Sequence, residues 1–233
     1  MSGFLNGLKI LLFPPKCIKC GSYTKQDECL CEECREAWEK EKTAKCNKCG
    51  QSHVKCNCPI KDESSRLFGV FHLAEYKKDT LAADLVYKIK DGEHSPVNNF
   101  LAEELYERLK DRADFSEALV TYVPRRREAI NKYGSDQAYE LARELCRISG
   151  KEPVKLIVRK GKMDQKALNF EQRHKNVRNS YFIYEENAEL IKGKRIFIVD
   201  DIITTGATVS YLAELLLERG AVSVSAVSVA RRT

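Results

Sequence analysis

Long apolar runs are scarce in this chain of 233 residues. The run over residues 4–13 is too short to cross a bilayer, with no basic segment before it and no small-residue cleavage site after it. We interpret it as one or two turns of helix that end at Pro14-Pro15 and pack on the protein. The sequence therefore predicts no membrane span and a cytoplasmic location.

A strong excess of one charge is also missing, as are internal repeats and low-complexity tracts. The net charge of +6 is divided evenly between residues 1–66 and the remainder, so charge alone does not indicate a nucleic-acid binder. An apolar content of 43% with 32% charged residues excludes a disordered chain. The length suits one α/β domain with a small appendage.

Cysteine, by contrast, is abundant, and nine of the ten cysteines fall between residues 17 and 58. In a reducing compartment such pairs indicate metal binding before disulfides or a redox dithiol, and two CxxC turns can hold one Zn²⁺ tetrahedrally. We predict one or two structural zinc ions, with Cys29 as a spare thiol and His53 as a substitute ligand. The first and firmer site comprises Cys17, Cys20, Cys31 and Cys34, and the second Cys46, Cys49, Cys56 and Cys58.

Beyond residue 66 the pattern changes to short apolar strands that alternate with amphipathic helices. This alternation predicts an α/β fold with a mostly parallel sheet and helices on both faces. We therefore divide the chain into a Cys-rich zinc module at 1–66 and an α/β domain at 67–233. The predicted strands are 67–73, 118–123, 154–158, 196–199 and 222–229, and the predicted helices are 80–90, 96–112, 136–148 and 208–219.

A candidate anion site follows the strand at 196–199. Asp200 and Asp201 come first, and then a loop of small residues leads into a helix: Thr204, Thr205, Gly206, Ala207 and Thr208. Ligands bind at the carboxyl edge of parallel sheets, where loop amides and the helix N-terminus attract phosphate. The two acids can accept hydrogen bonds from sugar hydroxyls and attract Mg²⁺. The plainer alternative is a strand-to-helix turn beside two surface charges.

A basic loop follows another predicted strand and is expected at the same edge of the sheet. It contains Arg125 and Arg126, with Arg127 next, and guanidinium groups bind phosphate in a bidentate manner. We predict that Arg125 and Arg126 contact the ligand, with a solvated basic turn as the alternative.

The segment from Arg195 to Ser210 resembles the signature with which type I phosphoribosyltransferases bind phosphoribosyl diphosphate (PRPP). The resemblance implies that Asp200 and Asp201 hold the ribose hydroxyls and that residues 204–208 hold the 5-phosphate. It also implies that PRPP binds with Mg²⁺.

The whole chain is similar to the ComF family, which is associated with DNA uptake in naturally transformable bacteria. The stretch Gln165–Leu168 and the stretch Arg173–Arg178 fit the family pattern QxxL…RxxNxR and resemble a flexible loop that closes over PRPP. Two departures stand out: residues 133–137 read YGSDQ where the family usually has RGFNQ, and Lys162 replaces a frequent Thr. If the family residues shape the acceptor pocket, a different acceptor or slow turnover is expected.

The resemblance favours a PRPP-binding protein that handles single-stranded DNA and meets other DNA-uptake proteins. The alternatives are an active phosphoribosyltransferase on an unidentified base or amine and a non-catalytic PRPP sensor. Two thiolate zinc sites would make residues 1–66 slightly acidic, so contact with a protein is as plausible for that module as contact with DNA. An aromatic surface for stacking single-stranded bases is not evident in the sequence.

Overall fold

A computed structural model describes residues 14–26, 28–60, 65–89, 96–160 and 180–232. Its central feature is a four-stranded sheet formed by β1 (Gly69–Glu75), β2 (Leu119–Tyr122), β5 (Arg195–Ile203) and β6 (Ser223–Arg231). The spatial order is β1–β6–β5–β2, and every pairing is parallel. The two longest strands, β5 and β6, lie at the centre.

Helices connect the strands and cover both faces of the sheet. The predicted helices are present with small shifts, except that the one predicted over 96–112 ends at Leu109 and a separate short helix follows it. Two further helices were not predicted: α1, which begins directly after Cys31 and contains Cys34, and α5, directly after the basic loop. The helices are α1 (Glu32–Thr43), α2 (Leu81–Lys88), α3 (Pro96–Leu109), α4 (Ala113–Ser116), α5 (Arg127–Tyr133), α6 (Gln137–Ser149) and α7 (Ala207–Glu218), with a 3₁₀ helix at Glu185–Ile191.

Alternation along the central strands divides the apolar core into two clusters. In β5, Phe197 and Val199 belong to the cluster with α2, α3 and α6, whereas Ile196 and Ile198 belong to the cluster with α7. Because neighbouring residues of β5 contribute to both clusters, the strand is buried on both faces. The predicted α/β fold is confirmed, and none of the helices in the described ranges is both long and apolar enough to cross a bilayer.

The strand predicted at 154–158 does not join the main sheet, which corrects the sequence interpretation. It forms β3 (Ile157–Arg159), which pairs antiparallel with β4 (Tyr181–Ile183), a strand that was not predicted. A single parallel bridge links Val120 to Pro153 at the edge of the sheet. Val154 N donates to Val120 O at 2.8 Å, but Leu156 N donates to the Thr121 side chain at 3.4 Å instead of to a backbone carbonyl, so the ladder with β2 goes no further.

The Cys-rich segment folds as two similar ribbons on either side of α1. Each has an isolated antiparallel bridge, Lys16 with Tyr23 and Lys45 with Ser52, and each has a left-handed glycine after its first CxxC turn. Trp38 of α1 is fully buried and lies against Phe100 of α3, with 6.3 Å between the ring centroids. The ribbons therefore share a core with the sheet domain, and the division at residue 66 remains a prediction. The helix predicted at 4–13 lies outside the described residues.

Glu41 of α1 joins the ribbon module to the sheet domain through hydrogen bonds. One carboxylate oxygen accepts from Leu81 N at 2.7 Å and the other from Ala82 N at 2.9 Å. These amides are the first two of α2, where helix geometry offers no internal acceptor and the helix dipole favours a negative charge.

We expect Glu41→Ala to lower the free energy of unfolding by about 1–2 kcal/mol, because the change removes a charged cap from α2. Urea denaturation followed by circular dichroism measures the difference. Glu39→Ala is the control: Glu39 is half exposed and pairs with Lys42 within the same helix, so its loss should cost at most about 0.5 kcal/mol. Equal effects of the two substitutions would contradict the assigned role of Glu41.

Candidate ligand and zinc sites

A cavity of about 170 Å³ lies at the carboxyl edge of β5. Side chains of both charges meet there from five separate segments: Arg125, Arg159, Tyr181, Asp200, Asp201 and Thr208. Two larger surface depressions lie on the first ribbon and beside the end of β1, and neither is lined by residues of β5 or α7. Among the described cavities, the small one therefore has the chemistry and position of a ligand site.

Asp200 and Asp201 lie within β5, which extends to Ile203 instead of ending at residue 199 as predicted. Each carboxylate accepts a hydrogen bond from the amide of the next residue: Asp200 Oδ1 from Asp201 N at 2.9 Å, and Asp201 Oδ1 from Ile202 N at 2.8 Å. Burial and the neighbouring Asp201 carboxylate raise the pKa of Asp200 well above its usual range. A cation or several hydrogen-bond donors would relieve the cost of keeping both groups ionised.

The loop after β5 leaves the first turn of α7 open to a ligand. Gly206 is the N-cap residue at φ +83°, and no side chain caps the helix from that position. Thr205 Oγ1 accepts from Ala207 N at 3.4 Å, and Thr208 lines the cavity. The amides of this first turn and the positive end of the helix dipole can receive a phosphate group.

Arg125 reaches the cavity from the loop after β2. Its Nη2 atom lies 3.5 Å from Asp201 Oδ2, and its backbone N–H donates to Asp136 Oδ2 at 2.9 Å. Asp136 is also the N-cap of α6, where Oδ1 accepts from Tyr139 N at 3.4 Å. Burial raises the pKa of Asp136. Asp136 therefore holds Arg125 in place. Residue 136 is also one of the positions at which this chain departs from the family pattern.

The neighbouring arginines take different positions. Arg126 is half-buried at the N-cap of α5 and is not among the residues that line the cavity, while Arg127 is exposed as the first residue of that helix. The structure therefore brings Arg125, but not Arg126, to the wall of the cavity.

Two polar side chains of the cavity, Arg159 and Tyr181, were not assigned to it from the sequence, and both come from the β3–β4 pair. The guanidinium carbon of Arg159 lies 4.8 Å from the centre of the Tyr181 ring. Burial lowers the pKa of Arg159 and raises the pKa of Tyr181 to about 12. A basic residue at the end of an apolar strand was the available signal for Arg159. The predicted closing stretches 165–168 and 173–178, and the departure at Lys162, lie outside the described residues.

The eight paired cysteines form the two predicted clusters. Within each cluster, all four Sγ atoms lie within 4.8 Å of one another, and none of the described cysteines forms a disulfide. Four thiolates about 2.3 Å from a zinc ion would lie about 3.8 Å apart, so small movements bring each cluster to tetrahedral geometry. With four protein ligands and no open position, each cluster suits a structural Zn²⁺.

The two predicted spare ligands lie elsewhere. Cys29 is buried in the apolar core, where burial raises the pKa of its thiol to about 11. His53 is buried at the ribbon–sheet contact, with its ring 5.6 Å from the ring of His72 on β1. Neither belongs to a four-cysteine cluster, so the structure does not support His53 as a substitute ligand.

Two arginines beside the second cluster were also missed in the sequence. Arg231 donates to Cys58 O at 2.6 Å and to Pro59 O at 2.7 Å, and Arg108 donates to Cys56 O at 3.4 Å. Burial lowers the pKa of Arg231, and the nearby thiols oppose that shift. Zn²⁺ with four thiolates carries a formal charge of −2, which the two guanidinium groups would offset.

We expect two zinc ions per chain, as measured by elemental analysis and native mass spectrometry. Cys20→Ser with Cys34→Ser should remove one ion, and Cys49→Ser with Cys58→Ser should remove the other, because two thiolates do not hold a structural zinc. Cys29→Ala is the matched control and should keep both. A loss of zinc in the control, or two ions in either double variant, would contradict the assignment.

Two family models each match a separate part of the chain. Residues 129–233 match the family model of the phosphoribosyl transferase domain, and residues 8–65 match that of the double zinc ribbon domain. The α/β domain therefore has the type I phosphoribosyltransferase fold. The eight clustered cysteines lie within the double zinc ribbon match, which supports structural Zn²⁺.

Curated relatives match this chain over most of its length. Competence protein ComFC of Streptococcus pneumoniae is 23% identical over 93% of this chain and 100% of its own. DNA utilization protein YhgH of Escherichia coli is 28% identical over 84% of this chain and 87% of its own.

Among solved structures, glutamine PRPP amidotransferase from B. subtilis aligns with a TM-score of 0.38 at 20% identity, over 55% of this chain and a quarter of that enzyme. A double zinc ribbon followed by a phosphoribosyltransferase domain, in a chain that matches ComFC over nearly its whole length, makes this chain a member of the ComF family.

Proposed function

We propose that the cavity at the edge of β5 binds PRPP together with Mg²⁺. The observation that carries the proposal is the convergence of the Asp200–Asp201 pair, the N-terminus of α7 and two arginines on one small cavity. A sugar bearing a phosphate and a diphosphate needs hydrogen-bond acceptors for its hydroxyls and donors at two separate anionic positions. Acceptors and donors of these kinds surround the cavity.

The assignment of roles follows from the chemistry of each group. Asp200 and Asp201 accept hydrogen bonds from the ribose hydroxyls and attract Mg²⁺, which supplies positive charge to the diphosphate. The loop over residues 204–208 and the first amides of α7 hold the 5-phosphate. Arg125 and Arg159 neutralise the diphosphate, and Arg126 adds positive potential from one residue further away.

This arrangement also suits a displacement at the anomeric carbon of the ribose. An acceptor would form a bond to C1 while the bond from C1 to the diphosphate oxygen breaks, and the arginines would stabilise the departing charge. Release of diphosphate in the presence of candidate bases and amines distinguishes a transferase from a protein that only binds PRPP.

Asp200→Asn with Asp201→Asn should weaken the binding of Mg²⁺-PRPP about 100-fold or more, because two charge-assisted interactions are lost. Isothermal calorimetry measures the affinity. Asp114→Asn is the control: Asp114 pairs with Arg112 outside the cavity, and PRPP affinity should not change. Wild-type affinity in the double variant would contradict the proposed role of the carboxylates.

The same double variant should be as stable as the wild type or more stable. The pKa of Asp200 is higher in the folded chain than in the unfolded chain, so the folded wild type binds that proton more tightly. Its unfolding free energy therefore falls as the pH rises through the folded-state pKa of Asp200. The double variant has no carboxyl group at residue 200, so its unfolding free energy should not fall over this pH range for that reason. Thermal unfolding at several pH values measures the difference.

We further propose that the protein acts in natural competence, where it handles incoming single-stranded DNA. The support is the ComF family and the names of two relatives, a competence protein and a DNA utilization protein. Direct contact with DNA is favoured by the outer face of the β3–β4 pair. There Lys160 Nζ lies 5.9 Å from the centre of the half-exposed Phe182 ring, and Lys155 Nζ lies 4.4 Å from that of Tyr184.

Aromatic rings beside lysines suit a flexible strand, because bases stack on the rings while the lysines contact phosphates. We call these four side chains the hairpin surface. It supplies the aromatic platform that was not evident in the sequence.

Phe182→Ala should weaken binding to a single-stranded oligonucleotide about tenfold, because one stacked base is lost. Lys160→Gln should instead reduce the dependence of affinity on salt. Fluorescence anisotropy across a salt series measures both effects. Tyr87→Ala, which removes an exposed aromatic ring from α2, is the control and should bind as the wild type does. Binding that none of the substitutions affects would exclude the hairpin surface as the contact.

A further inference from the structure

The loop over residues 204–208, which we call the phosphate loop, packs against a residue that follows the second ribbon. Gly206 has φ +83°, and a Cβ atom at this position would lie 2.7 Å from Ile60 Cδ1 and 2.8 Å from Ile60 Cγ2. The Ile60 side chain is only 6% exposed and belongs to the core cluster of β5 and α7. The space beside the loop backbone is therefore filled by a side chain of the zinc ribbon segment, two residues beyond the zinc ligand Cys58.

Arg231 fastens this segment to the strand that precedes the loop. Its guanidinium donates to Cys58 O and Pro59 O at 2.6 and 2.7 Å. The backbone of Arg231 pairs with Ile203, the last residue of β5 before the loop. The Arg231 side chain is 2% exposed, so water does not compete for its two hydrogen bonds.

Two further hydrogen bonds hold the same segment to β1 and α3 of the sheet domain. Asn57 Oδ1 accepts from Val70 N at 2.8 Å, and Cys56 O accepts from Arg108 at 3.4 Å. We call residues 56–60 the strap. Cys56 and Cys58 of the strap belong to the second cluster, and Ile60 at its other end packs against the phosphate loop.

The first cluster is attached differently. Cys17, with Cys29 and Leu30 of the same ribbon, belongs to the core cluster of α2, α3 and α6, on the opposite face of the sheet from α7. The first ribbon therefore packs away from Gly206, and this difference between the two ribbons provides an internal control.

We infer that the second zinc ribbon is part of the PRPP site: through the strap and Ile60 it holds the phosphate loop in its binding shape. Zinc at Cys46, Cys49, Cys56 and Cys58 therefore sets the order of the loop and, with it, the affinity for the ligand. The inference deepens the proposed function, because it rests on PRPP binding at this loop.

The physical basis is the short chain distance between metal and loop. A bound zinc ion fixes Cys56 and Cys58, and Arg231 fixes the carbonyl groups of Cys58 and Pro59, so Ile60 has little freedom. Without the metal, the strap keeps its hydrogen bonds and the packing of Ile60, but the positions of Cys56 and Cys58 are no longer fixed. The left-handed Gly206 then loses a fixed contact, and the loop amides sample conformations that do not bind phosphate.

Hydrogen–deuterium exchange of peptides over residues 203–210 tests the coupling without any ligand. Ile60→Ala should speed exchange of these amides about tenfold or more, because the loop loses its seat. Cys56→Ser with Cys58→Ser should do the same while the zinc content falls from two ions to one. Arg231→Lys keeps the charge but loses one of two hydrogen bonds, so an intermediate effect is expected.

Two controls separate coupling from general destabilisation. Ile191→Ala removes the same side chain from the same core cluster, close to the amino end of β5 and thus at the other edge of the sheet. Cys20→Ser with Cys34→Ser removes the zinc ion of the first cluster. Both should leave exchange at residues 203–210 as in the wild type, even where overall stability falls.

Calorimetry with Mg²⁺-PRPP then gives the functional measure. Ile60→Ala should weaken binding about tenfold while Ile191→Ala does not, which supports the inference. Unchanged exchange at the loop in Ile60→Ala, or equal effects of Ile60→Ala and Ile191→Ala, would overturn it. A wild type that binds no PRPP, with the exchange effect intact, would refute the proposed function and the claim about affinity but support the mechanical link between ribbon and loop.

Discussion

The pairing of β5 with β6 is the interaction on which the rest of the structure depends. These are the longest strands of the sheet, nine residues each, and they lie side by side in parallel at its centre. Parallel pairing brings their carboxyl ends to the same edge. Asp200 and Asp201 lie at that end of β5, and Arg231 lies at the end of β6. The ligand cavity and the anchor of the second ribbon are neighbours because one ladder of hydrogen bonds places them together.

Buried charge determines how the two sites are built. The Asp200–Asp201 pair is costly without a partner, and Arg125 and Arg159 offset part of its charge from the opposite wall of the cavity. Four thiolates with one Zn²⁺ would give the second cluster a negative charge as well, and there Arg108 and Arg231 supply the opposite charge. Arg159 also lies over the Tyr181 ring, and Arg108 and Arg231 are hydrogen-bonded to backbone carbonyls, so these arginines have a fixed position as well as a charge.

The sequence alone was sufficient for the fold class, the two cysteine clusters and the order of most strands and helices. These features depend on local spacing, such as the CxxC turns and the alternation of apolar runs with helical periods. The end of β5 was misplaced because Asp200 and Asp201 are poor strand formers that tertiary pairing with β6 retains in the sheet. The position of residues 154–158 was wrong because backbone pairing with β2 ends after one hydrogen bond, from Val154 N to Val120 O, and the residues that follow pair with β4 instead.

The candidate site was only partly accessible to sequence reasoning, for a related reason. The Asp pair and the Thr-Gly loop are contiguous, so their chemistry is readable as a string. Arg159 and Tyr181 come together only through the antiparallel pairing of β3 with β4, across a long intervening segment. The contacts of Arg231 with Cys58 and Pro59 span more than 170 residues. Such contacts depend on the order of strands in the sheet, which no local pattern specifies.

That order of strands has a consequence for how the protein can be made. The strand β6 lies between β1 and β5, and β1 pairs with no other strand of the sheet. A nascent chain on the ribosome that has already exposed both ribbons and β1 through β5 still lacks the strand that joins them. The sheet can close, and Arg231 can reach the ribbon, only after translation has passed residue 231. The strands that precede β6 therefore cannot form the ligand site by themselves, because the sheet is joined only through β6.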